Sequence, residues 1–318
     1  MTTLLPLLVA TMFGLAATPT PPHETHAAGA SSPPLPSAHA HNDYEHDDPC
    51  HGALNLGFRS LEVDVFPVGD DLLVGHDPED LVPERTIERL YLEPLRRWCA
   101  SRPASPGDRG MVDPKTIQAN TIDDPALTLL VDIKRAGPRA LELLLRKLEP
   151  LQPWLTRVTD GDLVPGRITV ILSGNRPVAE VAALADRVVF IDGRPGDLER
   201  NPPVTLVPLV SGSYGPTLRT PLIGAPSDDA IRRLRRLTDL AHAQGRRIRF
   251  WGHLEDPRIW SAFVEAGVDL IGTDDRARLA DWLRTNDPRC GGDAPSGSGP
   301  MTDETPDHAE PPEDEPTP

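Results

Sequence analysis

The stretch Leu61-Glu62-Val63-Asp64-Val65-Phe66 puts two acidic side chains at alternate positions of an apolar run. Alternate side chains of a β-strand share a face, so Glu62 and Asp64 are expected to point the same way. A Glu-x-Asp pair on an arbitrary strand usually lies on a solvated face. Here the neighbouring residues are apolar, and burying two unpaired carboxylates would be too costly unless a cation lies beside them. The pattern therefore predicts one divalent cation, Mg²⁺ or Ca²⁺, since both prefer oxygen ligands.

Two histidines flank this strand in the sequence. After the turn at Gly69-Asp70-Asp71, the strand-like run Leu72-Leu73-Val74 leads to His76, which we expect to lie beside the carboxylates. Upstream, His41 follows a short apolar segment. Imidazoles in these places would serve as acid and base at the cation, although a hydrogen-bonded structural histidine is the alternative for His76. We therefore predict that His41 and His76 form a catalytic pair.

Apolar, β-branched runs recur through the chain with helical segments between them. They cover about 36–42, 59–66, 127–133, 168–173, 188–192, 204–210, 246–251 and 268–273. Strands that alternate with helices pair in parallel, and eight of them over roughly 250 residues are typical of an α/β protein of the (β/α)₈ TIM barrel type. The active site of such a barrel lies where the strands end. Further polar residues fall at these ends, among them Ser173, Asp192, Ser211, Trp251, His253 and Asp274.

Helices can be placed between some of these strands. Asp48 is expected to cap a short helix that ends at Gly57, and Ser227 a longer helix that ends at Gly245. Another helix is expected through Leu90 to Trp98. The polar segment 101–126 that follows is too long for an ordinary connection, so it is either a lid over the barrel mouth or a disordered insertion.

The order of the motifs His41-Asn42, Glu62-x-Asp64, His76 and Asp132-x-Lys134 resembles the phosphatidylinositol-phospholipase-C-like phosphodiesterase superfamily. This superfamily contains glycerophosphodiester phosphodiesterases, phosphoinositide-specific phospholipases C and sphingomyelinase-D-like enzymes. The resemblance is strongest to the altered inheritance of mitochondria protein 6 branch, with its His-Asn-Asp-Tyr opening and its Val-Gly-His-Asp segment. It runs from about Ala38 to Asp275 and is specific, because several motifs occur in order.

The resemblance implies a role for each matched position. Glu62, Asp64 and Asp132 would ligate the metal, with Asn42 as a fourth ligand. His41 and His76 would be the acid and base, and Lys134 would face the phosphate of the substrate.

Two positions depart from the glycerophosphodiesterase pattern. Such an enzyme usually opens with His-Arg-Gly, whereas this chain has His41-Asn42-Asp43, so the phosphate contact expected from the arginine is missing or comes from elsewhere. The third acidic position is commonly Glu, and here it is Asp132. The His-Asn pair is similar to that of the phospholipases C, and the third Asp to that of the sphingomyelinase D branch.

Trp251 is a candidate for binding substrate. It follows an apolar run, in Arg249-Phe250-Trp251-Gly252-His253. A tryptophan at a strand end can pack on a choline headgroup or a ring, and core packing is the alternative.

The two ends of the chain differ in composition from the domain at 37–289. Residues 1–18 contain a short apolar run followed by small residues, which indicates a signal peptide and a secreted protein, although no Lys or Arg precedes the run. Residues 19–36 are rich in Pro, Ala and Ser and are expected to be a flexible linker. The tail 290–318 carries eight acidic residues and no Lys or Arg, so it is expected to be disordered.

Charge and cysteine content limit the choice of partners. The chain has a formal net charge of −16 at pH 7, which argues against nucleic acid and leaves a small phosphodiester or phospholipid as substrate, with transient contact to a membrane surface. No feature predicts an obligate protein partner. Cys50, Cys99 and Cys290 are too few and too scattered for a zinc site, and export would permit one disulfide whose pairing the sequence leaves open.

These observations predict a secreted, metal-dependent phosphoric diester hydrolase that acts on a glycerophosphodiester or a phospholipid headgroup. The nucleophile is either water or a hydroxyl of the substrate. A metal-dependent amidohydrolase is one alternative, because His39-Ala40-His41 has the spacing for two imidazoles on one metal. A catalytically silent secreted binding protein, which keeps the barrel and the cation, is the other.

Overall fold

The computed structural model describes residues 32–102 and 126–290. The predicted signal peptide 1–18 lies outside these residues, as do most of the predicted linker 19–36, most of the segment 101–126 and nearly all of the acidic tail 290–318.

Eight parallel strands form a closed barrel, which confirms the predicted (β/α)₈ architecture. In chain order the strands of the described residues are β1 (Leu35–Ala40), β2 (Phe58–Val68), β3 (Asp71–Val74), β4 (Leu127–Ile133), β5 (Arg157–Thr159), β6 (Asp162–Val164), β7 (Ile168–Gly174), β8 (Val189–Gly193), β9 (Leu209–Ser213), β10 (Arg247–Trp251) and β11 (Leu270–Thr273). The barrel order is β1-β11-β10-β9-β8-β7-β4-β2, and β2 pairs with β1 to close it. β3 is antiparallel to β2 and outside this ring.

Helices follow most of the barrel strands. They are α1 (His51–Asn55), α2 (Glu93–Ala100), α3 (Gly137–Lys147), α4 (Val178–Ala183), α5 (Asp197–Arg200), α6 (Tyr214–Leu218), α7 (Asp228–Ala243), α8 (Pro257–Glu265) and α9 (Arg276–Asn286). A π-turn at Glu88–Leu92 precedes α2, and short 3₁₀ segments lie at Asp43–Glu45, Pro78–Asp80, Glu149–Trp154 and Pro288–Cys290.

A small hairpin closes the end of the barrel where the strands begin. β5 and β6 pair with each other, and their Val158 and Leu163 form one buried apolar cluster with side chains of the barrel strands such as Ile171 and Phe190. This floor closes one end of the barrel, so a ligand can enter only at the opposite end, which we call the mouth.

The predicted strand over 204–210 is wrong in its position. β9 begins only at Leu209, and the N–H groups of Leu206 and Val207 both bond to the carbonyl of Pro203 in a turn. Pro208 has no N–H to give to a strand ladder, so regular pairing begins only at Leu209, although the carbonyl of Leu206 accepts the N–H of Ile191 at 2.9 Å.

The predicted cap of the first helix is also wrong. No side chain caps α1 from Asp48; instead the carboxylate of Asp43 accepts the N–H of Cys50 at 2.6 Å, immediately before the helix. The cap of α7 is confirmed, since the Ser227 hydroxyl accepts the N–H of Ala230 at 3.3 Å.

The segment 103–125 is outside the described residues, but the residues on either side of it are placed. The carbonyl of Cys99 accepts from the Arg167 guanidinium at 3.3 Å, and the N–H of Leu127 donates to the Arg167 carbonyl at 2.8 Å. Arg167 directly precedes β7, so both flanks lie at the floor of the barrel. The lid and the disordered insertion both concern residues outside the described ranges, so both stay predictions.

The three cysteines are buried as free thiols, so the disulfide that export would permit is not formed. Cys290 lies against the start of the barrel, with its sulfur 3.5 Å from the Ser37 hydroxyl. Among the described helices, none has the length and the apolar character needed to cross a membrane.

Candidate active site

Three carboxylates converge at the mouth. Glu62 and Asp64 on β2 and Asp132 on β4 each offer one oxygen, and these oxygens lie within 4.8 Å of one another. Asp64 and Asp132 are directly opposite in the β2–β4 ladder, which brings them together on the inside of the barrel. A side chain at Gly174 would put its Cβ 2.0 Å from Oδ1 of Asp132, so glycine is required there to leave room for this carboxylate.

Glu62 is held by two buried partners. Its Oε2 lies 2.8 Å from Nε2 of His39 and 2.8 Å from Nη2 of Arg249. Burial and the charge of Arg249 lower the pKa of His39 to about 4, so this imidazole is neutral at pH 7. Burial alone would raise the pKa of Glu62, but the charge of Arg249 and the hydrogen bond with His39 hold it well below its usual range. Glu62 is therefore an anion fixed in position.

Asp64 has one partnered and one unpartnered oxygen. Its Oδ2 accepts from the Lys134 ammonium at 2.7 Å and from the Tyr44 hydroxyl at 2.7 Å. Its Oδ1 is buried without a hydrogen-bond partner. Burial raises the pKa of Asp64 to about 6. The hydrogen bonds from Lys134 and Tyr44 lower this pKa and the negative charge of Glu62 raises it further, so that burial dominates. Burial likewise raises the pKa of Asp132.

These observations fit a bound divalent cation. Three oxygen donors surround one point, and the buried Oδ1 of Asp64 lacks any other partner. A cation placed there would favour the charged forms of Asp64 and Asp132, whose pKa values are raised first by burial and then by the charge of Glu62. The donor set suits Mg²⁺ and Ca²⁺.

The loop that carries Asn42 is anchored below the site. Asn42 has a left-handed backbone (φ 45°), and its side-chain amide lies 3.2 Å from the Tyr44 hydroxyl, whose proton goes to Asp64. Asp43 is fully buried and accepts from Arg276 at 2.6 Å and from the Tyr91 hydroxyl at 3.0 Å. Asn42 is thus beside the cluster, sharing Tyr44 with Asp64.

The two predicted catalytic histidines have different surroundings. Nδ1 of His41 lies 2.7 Å from Oδ1 of Asp274, at the end of β11. Burial alone would lower the pKa of His41, but this hydrogen bond and the charge of Glu62 outweigh it, so the pKa is raised. His76 is more open: half of its side chain is exposed, and its Nδ1 lies 3.2 Å from the carboxylate of Asp77.

One cavity of about 220 Å³ unites the predicted residues. Seven of the eight line it, namely His41, Asn42, Glu62, His76, Asp132, Lys134 and Trp251. The eighth, Asp64, belongs to the carboxylate cluster. Trp251 is 44% exposed, so it is a wall of the cavity rather than part of the core.

The amino-acid sequence is similar to one known family and to several known proteins. Residues 33–192 match the family model described as the AIM6-like phosphodiesterase domain. A homolog of altered inheritance of mitochondria protein 6 from Arthroderma benhamiae is 31% identical over 264 residues, which cover 76% of this chain and 82% of the relative. The chain belongs to the AIM6-like phosphodiesterase family.

Other matches extend the comparison. Altered inheritance of mitochondria protein 6 from Eremothecium gossypii is 29% identical over 268 residues, covering 76% of this chain and 68% of the relative. A crystal structure of glycerophosphodiester phosphodiesterase from Agrobacterium tumefaciens matches 78% of this chain and 99% of its own length at 12% identity, with a TM-score of 0.42. That likeness is too distant to bear on activity. As a member of the AIM6-like family the chain is a phosphodiesterase, which replaces the silent binding protein considered from sequence.

Several residues of this AIM6-like site were not assigned from sequence. They are Tyr44 and Arg249, which contact the carboxylates, Asp274, which contacts His41, and Arg194, whose Nη1 lies 2.7 Å from Asp192. The sequence did contain a signal for Arg249. Ile248 and Phe250 point to one face of the strand, so Arg249 and Trp251, two residues apart, point together to the other face.

The amidohydrolase alternative finds no support in this geometry. Since the Glu62 carboxylate can only accept, Nε2 of His39 donates to it, and Nδ1 accepts from the Ser60 hydroxyl at 2.7 Å. Both nitrogens of His39 are therefore taken by protein partners, and His39 cannot share a metal with His41 without losing one of them.

Proposed function

We propose that this AIM6-like phosphodiesterase is a metal-dependent hydrolase of glycerophosphodiesters or phospholipid headgroups. The observation that carries the proposal is the convergence of Glu62, Asp64 and Asp132 within 4.8 Å beside a cavity that His41 and His76 line. Carboxylates and histidines at one mouth are the groups that a phosphodiester requires: negative ligands for a cation, and an acid and a base.

Glu62, Asp64 and Asp132 would hold the cation, with Asn42 as a further ligand. When bound, an Mg²⁺ or Ca²⁺ ion offsets the charge on the non-bridging oxygens of the phosphate. Lys134 holds Asp64 at 2.7 Å and contributes positive charge to the same wall of the cavity. His39 and Arg249 hold Glu62 as an anion, so this ligand is ready before any cation arrives.

His41 and His76 would move the protons. One imidazole takes a proton from the attacking water or from a substrate hydroxyl, and the other gives a proton to the oxygen of the leaving group as its bond to phosphorus breaks. Water as nucleophile yields a phosphomonoester and an alcohol, whereas a substrate hydroxyl yields a cyclic phosphodiester. Each histidine would contribute about 10²–10⁴-fold to the rate. Asp274 orients His41, whose second nitrogen is left to exchange a proton.

Exposed apolar residues support contact with a phospholipid surface. Among the described residues, the large hydrophobic side chains that are at least 40% exposed are Val68, Val82, Val178, Leu222, Ile223, Trp251 and Leu254. Trp251 lines the cavity, Leu254 follows it in the connection from β10 to α8 at the mouth, and Leu222 and Ile223 lie between α6 and α7. A lipid substrate would meet the cavity from this side.

The contact can be tested with a double variant. Leu222→Ser with Ile223→Ser should weaken co-sedimentation with vesicles of phosphatidylcholine and phosphatidylglycerol and slow turnover of lipid presented in them. Turnover of soluble bis(p-nitrophenyl) phosphate should not change. Equal vesicle binding by the variant and the parent chain would remove the lipid-surface proposal.

Secretion remains a proposal that rests on residues 1–18. Expression of the full chain, followed by N-terminal sequencing of protein from the medium, would locate the cleavage site. Accumulation inside the cell of a chain that still begins at Met1 would count against it.

The hydrolase proposal is tested with the full chain and four substrates: bis(p-nitrophenyl) phosphate, glycerophosphocholine, lysophosphatidylcholine and sphingomyelin. Each is assayed with EDTA, Mg²⁺, Ca²⁺ or Zn²⁺. We expect turnover that EDTA removes and Mg²⁺ or Ca²⁺ restores. Turnover that is insensitive to EDTA, or that only Zn²⁺ supports, would overturn the proposed cation chemistry.

A further inference from the structure

Arg249 is a buried arginine that is only partly used by the protein. It lies on β10, is 4% exposed, and its Nη2 is 2.8 Å from Oε2 of Glu62. Its Nε and Nη1 atoms are buried and have no hydrogen-bond partner. Buried donors are nearly always paired in folded proteins, so these groups call for a partner that is bound rather than built in.

A second buried arginine, three residues earlier in the chain, has the hydrogen-bond partners expected of a structural arginine. Arg246, directly before β10, is fully buried at the floor end of the strand. Its guanidinium donates to the carbonyls of Val207 and Pro202 and to the side chains of Asn201 and Gln244. Arg246 is satisfied by the protein, whereas Arg249, at the mouth end, is not.

The position of Arg249 points to the kind of partner. It lines the 220 Å³ cavity together with His41 and Lys134, and it also lines a smaller adjoining recess of about 90 Å³ that shares His41 and Trp251. A guanidinium donates only, so its partner is an acceptor, and a negatively charged oxygen is the strongest one.

The other cations of the cavity are already engaged. Lys134 lies 2.7 Å from Asp64, and Arg194 donates to Asp192 at 2.7 Å and to Ser173 at 3.3 Å. Among the basic residues that the structure places around this cavity, Arg249 is the one whose donors lack acceptors. This chain has Asn42 where the His-Arg-Gly opening of the glycerophosphodiesterases has arginine, so an arginine contact to the phosphate would have to come from another part of the barrel.

We propose that Arg249 is a phosphate-binding residue, which holds Glu62 through Nη2 and donates from Nη1 or Nε to a non-bridging oxygen of the substrate phosphate. The inference rests on the proposed phosphodiesterase site and names the residue that recognises the anion there. The phosphate-binding arginine would then lie on β10, the seventh strand of the barrel, on the same face as Trp251. In the His-Arg-Gly opening of the glycerophosphodiesterases the arginine instead follows the first strand.

A merely structural role for Arg249 makes a different prediction. If the arginine only positions Glu62, its replacement would weaken cation binding by about 10–100-fold, as expected for a contact to a metal ligand. Phosphate affinity measured at saturating cation would then stay the same. The two roles are therefore separated by measuring phosphate and cation binding independently.

The experiment uses the full chain, with Arg249→Lys as the variant and Arg246→Lys as its matched control. Arg249→Lys keeps a positive charge near Glu62 but cannot contact Glu62 and a phosphate with one planar group. Inorganic phosphate is the probe: its affinity is measured by calorimetry and by competitive inhibition of bis(p-nitrophenyl) phosphate turnover at saturating Mg²⁺ or Ca²⁺. Cation affinity is measured in parallel, and melting temperatures report folding.

We expect Arg249→Lys to weaken phosphate binding by about 10-fold or more and to lower kcat/KM by about 10²–10³-fold. Arg246→Lys should lower the melting temperature and leave phosphate affinity unchanged. Equal phosphate affinity of the parent chain and Arg249→Lys at saturating cation would overturn the inference, as would a parent chain that binds no phosphate. If the parent chain and Arg249→Lys bind phosphate equally and the parent chain turns over substrate, the inference fails and the proposed hydrolase stands. If phosphate binding depends on Arg249 but the parent chain shows no turnover, the inference stands and the proposed hydrolase fails.

Discussion

The imidazole of His41 and the carboxylate of Asp274 are 2.7 Å apart, although 233 residues separate them in the chain. His41 follows β1 and Asp274 follows β11, and these two strands are neighbours only because the barrel closes. A carboxylate can only accept, so Nδ1 of His41 donates to Asp274 and the other ring nitrogen is left for the substrate. Barrel closure thus orients the proposed acid or base.

Replacing Asp274 by Asn should lower kcat by about 10²-fold, because an amide neither orients nor stabilises the charged imidazole of His41 as a carboxylate does. The pKa of His41 should fall as well, since Asp274 raises it. The limb of the pH–rate profile that reports His41 should therefore move to lower pH. Asp281→Asn, at an exposed position on α9, is the control. An unchanged kcat and pH profile in Asp274→Asn would count against the orienting role.

His76→Ala should reduce turnover by about 10²–10⁴-fold while the chain stays folded. The side chain is 52% exposed, so its removal leaves no cavity in the core. His51→Ala, an exposed histidine at the start of α1, should keep full activity. Kinetics and melting curves of both variants check this, and near-normal turnover in His76→Ala would remove its assigned role.

Addition of Mg²⁺ or Ca²⁺ to EDTA-treated protein should raise its melting temperature. A ligand that binds only the folded state stabilises it by about 2.7 kcal/mol at a concentration of 100 times its Kd. Asp132→Asn replaces one of the three converging carboxylates, so the rise in melting temperature should shrink or disappear in this variant. Thermal unfolding with and without cation measures the effect, and a cation response as large in the variant as in the parent would place the ion elsewhere.

Asp43→Asn should destabilise the fold by about 3–5 kcal/mol, because it breaks a buried ion pair and leaves a charge without its partner. Asp43 is fully buried and accepts from Arg276, Tyr91 and the N–H of Cys50. Urea unfolding gives the change in free energy. A loss below about 1 kcal/mol, the typical value for an exposed pair, would show that these contacts are not important for stability.

His242 and Asp269 should make stability depend on pH. The hydrogen bond to Asp269, 2.9 Å long, raises the pKa of His242 above its ordinary 6.5 in the folded protein. Their contribution is therefore fully present below pH 6.5 and is lost as the pH rises through the folded-state pKa. His242→Gln should reduce stability more at pH 5.5 than at pH 8.5. Urea unfolding at the two pH values tests this, and an equal loss at both would contradict it.

Much of the site could be predicted from local patterns. Glu62 and Asp64 share a face because side chains alternate along a strand, and their apolar neighbours indicated that this face is buried. His76 could be placed because the Gly69-Asp70 turn returns the chain antiparallel to β2. The position of β9 could not be read from its apolar run, since Pro208 lacks the N–H that a regular strand ladder ahead of Leu209 would use.

The cap of α1 shows a different limit of sequence reasoning. Asp48 has the correct residue type and spacing, yet Asp43 accepts the N–H before the helix. Asp43 is held there by Arg276, which lies more than 200 residues away in the sequence. No periodicity connects these two positions.

The sequence by itself determined the barrel, the carboxylate motif and the two histidines, because these features follow from strand and helix periods over short distances. Only the tertiary structure decided that Arg249 reaches Glu62, that Asp274 reaches His41 and that Tyr44 bonds to Asp64. Those contacts join different strands and loops, and they depend on the order in which eight strands pair and on how the ring closes. The same closure leaves the Nε and Nη1 donors of Arg249 buried beside the cavity, where a phosphate can accept from them.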